Sequence, residues 1–308
     1  MEKKRKHPML LVLASLIWGI AFVAQREGGG GIGPYCFNGL RFFMGAAVLV
    51  PVIAVSDRIS PSPERPVTKA QRRLLYKAAA VCGLFLCIAS NFQQVALTMG
   101  AAAGKAGFLT ACYILLVPIL GLVFRRKCGW NVWLAVAIAL VGLYLLCLTG
   151  SLRLSLPDLL LLLCALFFAF QILAIDHFAP QVDGVRLSCL EFLVAGVLTV
   201  PLALGMDLRG TELRSWTQEL CSRQTLIPLL YTGILSSGAG YTLQILGQRN
   251  VDPTVASLLM SLESVFSVLA GWALLHERLT GRELLGCGLI FAAIILAQLE
   301  LKPLRKKG

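Results

Sequence analysis

The chain has 308 residues, of which 57% are hydrophobic and 14% charged, and its formal net charge is +12. A soluble domain carries about 25% charged residues, so this chain has too little polar surface to cover a globule in water, and it needs lipid around it. The cations fall in short clusters between apolar runs, not on one face with interleaved aromatics, which speaks against nucleic acid as a partner.

An apolar helix of about 20 residues crosses a bilayer. In chain order, runs of that kind occupy 8–24, 36–55, 75–97, 104–124 and 131–150. Five more follow at 156–175, 185–205, 226–248, 252–274 and 281–300. Only helices and closed barrels satisfy their backbone in lipid, and these runs are too long for barrel strands. The expected fold class is therefore an all-α membrane protein of ten transmembrane helices. The first run, with Lys3–Lys6 before it, has the outline of a signal peptide but enters the glycines Gly28–Gly31 without a small-residue cleavage site.

With the amino terminus inside, nineteen of the 28 Lys and Arg flank inside ends and eight flank outside ends, Arg41 lying within the second run. Positive charge stays on the cytoplasmic side, so both termini are expected in the cytoplasm and the chain in a bacterial inner membrane. The two longest loops, 57–73 and 206–225, each follow the second helix of a group of five. Five is odd, so the second group enters the membrane in the opposite sense. Two inverted five-helix repeats are expected, over 1–150 and 151–308, which is a common carrier plan. Sliding the chain by 146 lays Asn91 on Ser237, Thr98 on Gln244, Pro118 on Ser264 and Gly142 on Gly288.

Polar groups inside the runs point to function. An ionisable side chain at mid-bilayer costs about 2.5–3.5 kcal/mol, so Glu263, Glu191 and Arg41 each need a reason. Glu263 is the first candidate for ion coupling and Glu191 the second, with a proton as the ion, while Arg41 near a helix end reads as an anchor. Asn91, Gln94 and Thr98 share one helical face, as do Ser237, Tyr241, Gln244 and Gln248. Such faces either hold helices together or surround water, and amides beside an acid favour water. Trp18, near Ser15 and Gln25, and Gln171 extend the set, as do Thr110, Tyr113 and the helix-bending Pro118. The candidate cavity is Trp18, Asn91, Gln94, Tyr113, Gln171, Tyr241 and Gln244.

Other signals carry no chemistry. The glycine run lacks the Gly-Lys-Ser/Thr of a phosphate loop, and His276-Glu277 has no second His at zinc spacing. The ten cysteines contain no Cys-x-x-Cys, and all but Cys221 lie in or beside apolar runs. No metal, no cofactor and no enzymatic constellation is expected.

Several stretches resemble the EamA-type family of the drug/metabolite transporter superfamily. They are Trp18-Gly19, Phe37-Asn38-Gly39-Leu40-Arg41-Phe42, and Ala106-Gly107-Phe108-Leu109-Thr110 leading to Tyr113 and Pro118. In the second half they are Leu262-Glu263-Ser264-Val265-Phe266, Leu275-His276-Glu277-Arg278-Leu279-Thr280 and Gly288. Relatives commonly read Glu-Pro at Glu263-Ser264, and Arg125-Arg126-Lys127 stands where a Gly-Glu-Arg pattern is usual. The resemblance implies ten helices in inverted repeats around a central cavity. It also implies a secondary transporter, an exporter before an importer, of small metabolites such as amino acids, working by alternating access. A flippase for a lipid-linked intermediate, or its accessory subunit, is the alternative. Both halves lie in one chain, so a monomer suffices, with a homodimer as the other arrangement.

Overall fold

The computed structural model describes residues 2–59, 62–101, 103–123, 129–147, 155–249, 251–275 and 280–298. Arg125-Arg126-Lys127, His276-Glu277-Arg278-Leu279 and the cations beyond residue 301 lie outside them. The described residues form helices, and these make ten passes through an apolar slab.

The first half begins with α1 (Glu2–Ile32), α2 (Pro34–Ile59) and α3 (Lys69–Thr98). A broken fourth pass, α4 (Ala103–Ala111) with α5 (Tyr113–Val123), and α6 (Trp130–Cys147) complete it. The second half begins with α7 (Leu156–Phe178) and α8 (Gly184–Leu202), which ends in a π turn. After the surface helix α9 (Leu213–Leu220), the eighth pass runs α10 (Arg223–Leu230), a π-helical stretch Tyr231–Tyr241 and α11 (Thr242–Gln248). The broken ninth pass, α12 (Pro253–Met260) with α13 (Leu262–Leu275), and α14 (Gly281–Gln298) follow. Among the described residues, six passes are long and apolar enough to span a bilayer by length and composition. The outer surface is apolar, with Val50, Val55, Val123, Val197, Ile227 and Ile295 exposed.

Local chemistry sets the boundaries. Gly33 adopts φ 88, a conformation only glycine takes freely, and Pro34 then opens α2 where no amide donor is needed. So α1 runs on through Gly28–Gly31 instead of stopping near residue 24. Helix α3 starts at Lys69, before the apolar run, because Thr68 and Gln71 form a capping box that holds its polar first turns. Asp183 and Asp252 cap α8 and α12 by accepting from the amides of Arg186 and of Thr254 and Val255.

The two halves pack by one rule. Gly83 of α3 lies so close to α8 that an added Cβ would meet Val194 Cβ at 2.7 Å, and Gly233 meets Met44 Cβ of α2 at 2.9 Å. At opposite faces of the slab, Asp57 at the end of α2 pairs with Arg186 at the start of α8, while Asp207 after α8 accepts from the Cys36 amide of α2 at 2.7 Å. Gly83 and Gly233, Val194 and Met44, Asp57 and Asp207, and Arg186 and Cys36 are each 150 residues apart. The structural register is thus four residues beyond the 146-residue slide. Gly142 packs against Gly286, whereas Gly288 faces open space.

Candidate functional site

Inward-facing side chains from both halves line a cavity at the centre of the bundle, with about 40 Å³ open to the centres of water molecules. A water needs about 10–15 Å³ by that measure, so the space holds a few waters.

Among the described residues, one cation and one acid line the cavity. Arg41 is 2% exposed; its Nη1 donates to Gln25 Oε1 at 2.8 Å, its guanidinium lies 5.1 Å from the Phe42 ring centroid, and its Nε finds no partner. Glu263 stands just past the break at Ser261 and accepts from the Tyr113 hydroxyl, itself just past the break at Cys112, at 3.1 Å. The broken fourth and ninth passes thus bring the acid and its donor together from opposite halves.

Aromatic rings and amides form the walls. Trp18 donates from Nε1 to Ser236 O at 3.2 Å, and its ring lies 4.8 Å from that of Tyr241. Gln244 Nε2 donates to Gln171 Oε1 at 3.3 Å, leaving Gln171 Nε2 and Gln244 Oε1 unpartnered at the cavity. A buried polar group without a partner is rare and expensive, and three such groups, with Arg41 Nε, belong to residues around this one void.

Of the residues singled out from the sequence, Trp18, Tyr113, Gln171, Tyr241, Gln244 and Glu263 line the cavity. The structure does not bring Asn91, Gln94 or Glu191 to it. Asn91 is locked between helices, accepting from Asn38 Nδ2 at 2.9 Å and donating to Thr199 Oγ1 at 3.0 Å. Gln94 donates to Gln25 O at 3.0 Å, and its own Oε1 has no partner. Glu191 is fully buried on α8, and neither carboxyl oxygen has a partner. Arg41, read as an anchor, lies in the wall, as do Gln93, Phe168 and Met260, which no polar pattern had marked.

The 150-residue register recurs here. Trp18 answers Phe168, Phe22 answers Ile172, Thr110 answers Met260 and Tyr113 answers Glu263, and all eight line the cavity. The cavity wall thus draws matched positions from the two halves. Among the described residues no cluster of three or more His, Cys, Asp or Glu is arranged to hold a metal.

An "Uncharacterized transporter" of Archaeoglobus fulgidus is 27% identical over 291 residues, 94% of this chain and 85% of that protein. The "Uncharacterized transporter YoaV" of Bacillus subtilis is 24% identical over 296 residues, 93% of this chain and 94% of that one. A protein crystal structure that is 17% identical superposes with a TM-score of 0.74, over 95% of this chain and 96% of that chain, and so shares the fold. The model of the EamA-like transporter family matches twice, over residues 6–148 and 155–299, once in each half. Two family matches, ten passes and one shared central cavity make this multi-pass membrane protein a member of the EamA-like transporter family.

Proposed function

We propose that the chain is a secondary exporter of small amine-bearing metabolites, amino acids and related compounds, driven by exchange with protons. Its repeats, 1–150 and 151–308, rock about the cavity by alternating access, with both termini in the cytoplasm of a bacterial inner membrane. The observation that carries this reading is the acid at the centre: Glu263 opens onto the cavity with Tyr113 as its donor. A carboxyl that can hold either a proton or a substrate ammonium, but not both, couples the two movements. The aromatic walls suit an apolar side chain, and the unpartnered amides of Gln171 and Gln244 offer a donor and an acceptor to its polar end.

Glu263→Gln keeps the size of the side chain and its bond to Tyr113 but removes the exchangeable proton. In proteoliposomes this variant should lose proton-driven amine transport while its expression and melting temperature hold. Undiminished proton-driven uptake would remove Glu263 from the mechanism.

A further inference from the structure

Two halves of one plan need not hold one conformation at a given moment, and a carrier of inverted repeats switches as one half rocks against the other. Here the register holds for the four matched pairs in the cavity wall and fails for the other seven lining residues, four of which, Gln25, Gln93, Gln171 and Ser236, have the apolar counterparts Ile175, Leu243, Ala21 and Leu86 outside it. Arg41, Tyr241 and Gln244 line the cavity, whereas Glu191, Asn91 and Gln94, 150 residues away in each case, do not. The hidden three are polar. Both carboxyl oxygens of Glu191 and the Oε1 of Gln94 are buried without a partner, and an unpaired buried acid is among the costliest groups a fold can hold. Such a group is kept where another state puts it to use.

We infer that Glu191, Asn91 and Gln94 form the cavity wall of the state open at the face where α2 ends, so that turnover exchanges Arg41 for Glu191 beside the substrate. The inference rests on the carrier reading of the same cavity and adds what its walls become. The contacts at the two faces supply the switch. Arg41 follows Cys36, whose amide Asp207 holds at the face where α2 begins. Glu191 follows Arg186, which Asp57 and Asp183 hold at the face where α2 ends, the Asp183 contact being 2.8 Å. Release of the Asp57–Arg186 contact frees the start of α8 to turn Glu191 inward, while the Asp207 contact keeps the far face shut.

The exchange alters the charge that the substrate meets. With Arg41 and Glu263 in the wall the fixed charges cancel; with Glu191 and Glu263 the wall holds two acids and no base. An ammonium group is therefore taken up from the amino-terminal face and expelled when Arg41 returns, which is the direction of export.

The test needs no substrate. A hydrophobic carbodiimide is applied to the full chain in lipid vesicles, and adducts at Glu191 and Glu263 are counted by peptide mass spectrometry. Glu263 serves as the internal reference. Arg186→Gln, which frees the start of α8, should raise the Glu191 to Glu263 adduct ratio about tenfold by shifting the population between states. Should that variant fold poorly, a disulfide from Cys36 to the thiol introduced by Asp207→Cys shuts the far face and should raise the ratio in the same way. A ratio unmoved in a folded form of either variant, with Glu263 still labelled, overturns the exchange. Loss of the amine or proton reading leaves this readout intact, so the two failures are told apart.

Discussion

At the residue scale, the site turns on one cation. Arg41 is held by Gln25 and by the Phe42 ring, and its Nε remains unpartnered. If it expels the ammonium group at the end of each cycle, Arg41→Gln should slow release. Turnover should fall about tenfold while the apparent KM also falls, as happens when a mutation removes destabilisation of the bound state. The measurement is initial export rate against substrate concentration. A raised KM at unchanged turnover would mean instead that Arg41 binds the substrate. The sequence marked Arg41 as out of place in lipid but not its role, because depth along a helix is legible and direction around it is not. Gln93 and Met260 escaped for a related reason. A glutamine beside another glutamine and a methionine in an apolar run carry no periodic signal until neighbouring helices fix which face turns inward.

At the element scale, close helix contact depends on a few glycines. Gly83 lets α3 approach the backbone of α8, where an added Cβ would lie 2.7 Å from the Glu191 carbonyl oxygen. Gly83→Leu should cost about 1–3 kcal/mol through overpacking, read as a lower melting temperature in detergent. Gly288→Leu, on a residue with open space around it, should leave the melting temperature unchanged. Ten passes and their order were legible in the sequence because each is a long apolar run. The breaks at Cys112 and Ser261 and the π stretch were not. Apolar periodicity is insensitive to one residue more or less per turn, yet those irregularities are what place Tyr113, Glu263 and Tyr241 at the cavity.

At the scale of the whole molecule, the two halves are tied across their amino-terminal face. Besides the Asp57–Arg186 pair, Glu64, in the loop between α2 and α3, meets Arg249 after α11 at 3.4 Å. Burial pushes the Glu64 carboxyl up, but the Ser62 hydroxyl and the Arg249 charge outweigh it, so the carboxyl stands below its ordinary value of 4.5. A carboxyl lowered in the folded state adds stability that is complete above 4.5 and is lost as pH falls below it. Glu64→Gln should therefore melt earlier than the parent chain at pH 7, and the two curves should converge in acid and in high salt. A gap that persists at low pH would show that the contact is not ionic. The inverted repeat itself was legible from loop placement, but its register was not. Identity between the halves is low enough that a slide of 146 and one of 150 look alike until Tyr113 and Glu263 are seen to touch.

The eleven-residue π stretch of the eighth pass has a consequence of its own. A wide turn stores a surplus residue, much as a dislocation sits in a crystal, and such a fault can migrate along a rod without breaking it. Each step would swing the side chains it passes by roughly 100°. Tyr241, seated where this stretch meets α11, could thus pivot away from Trp18 while both ends of the helix stayed anchored.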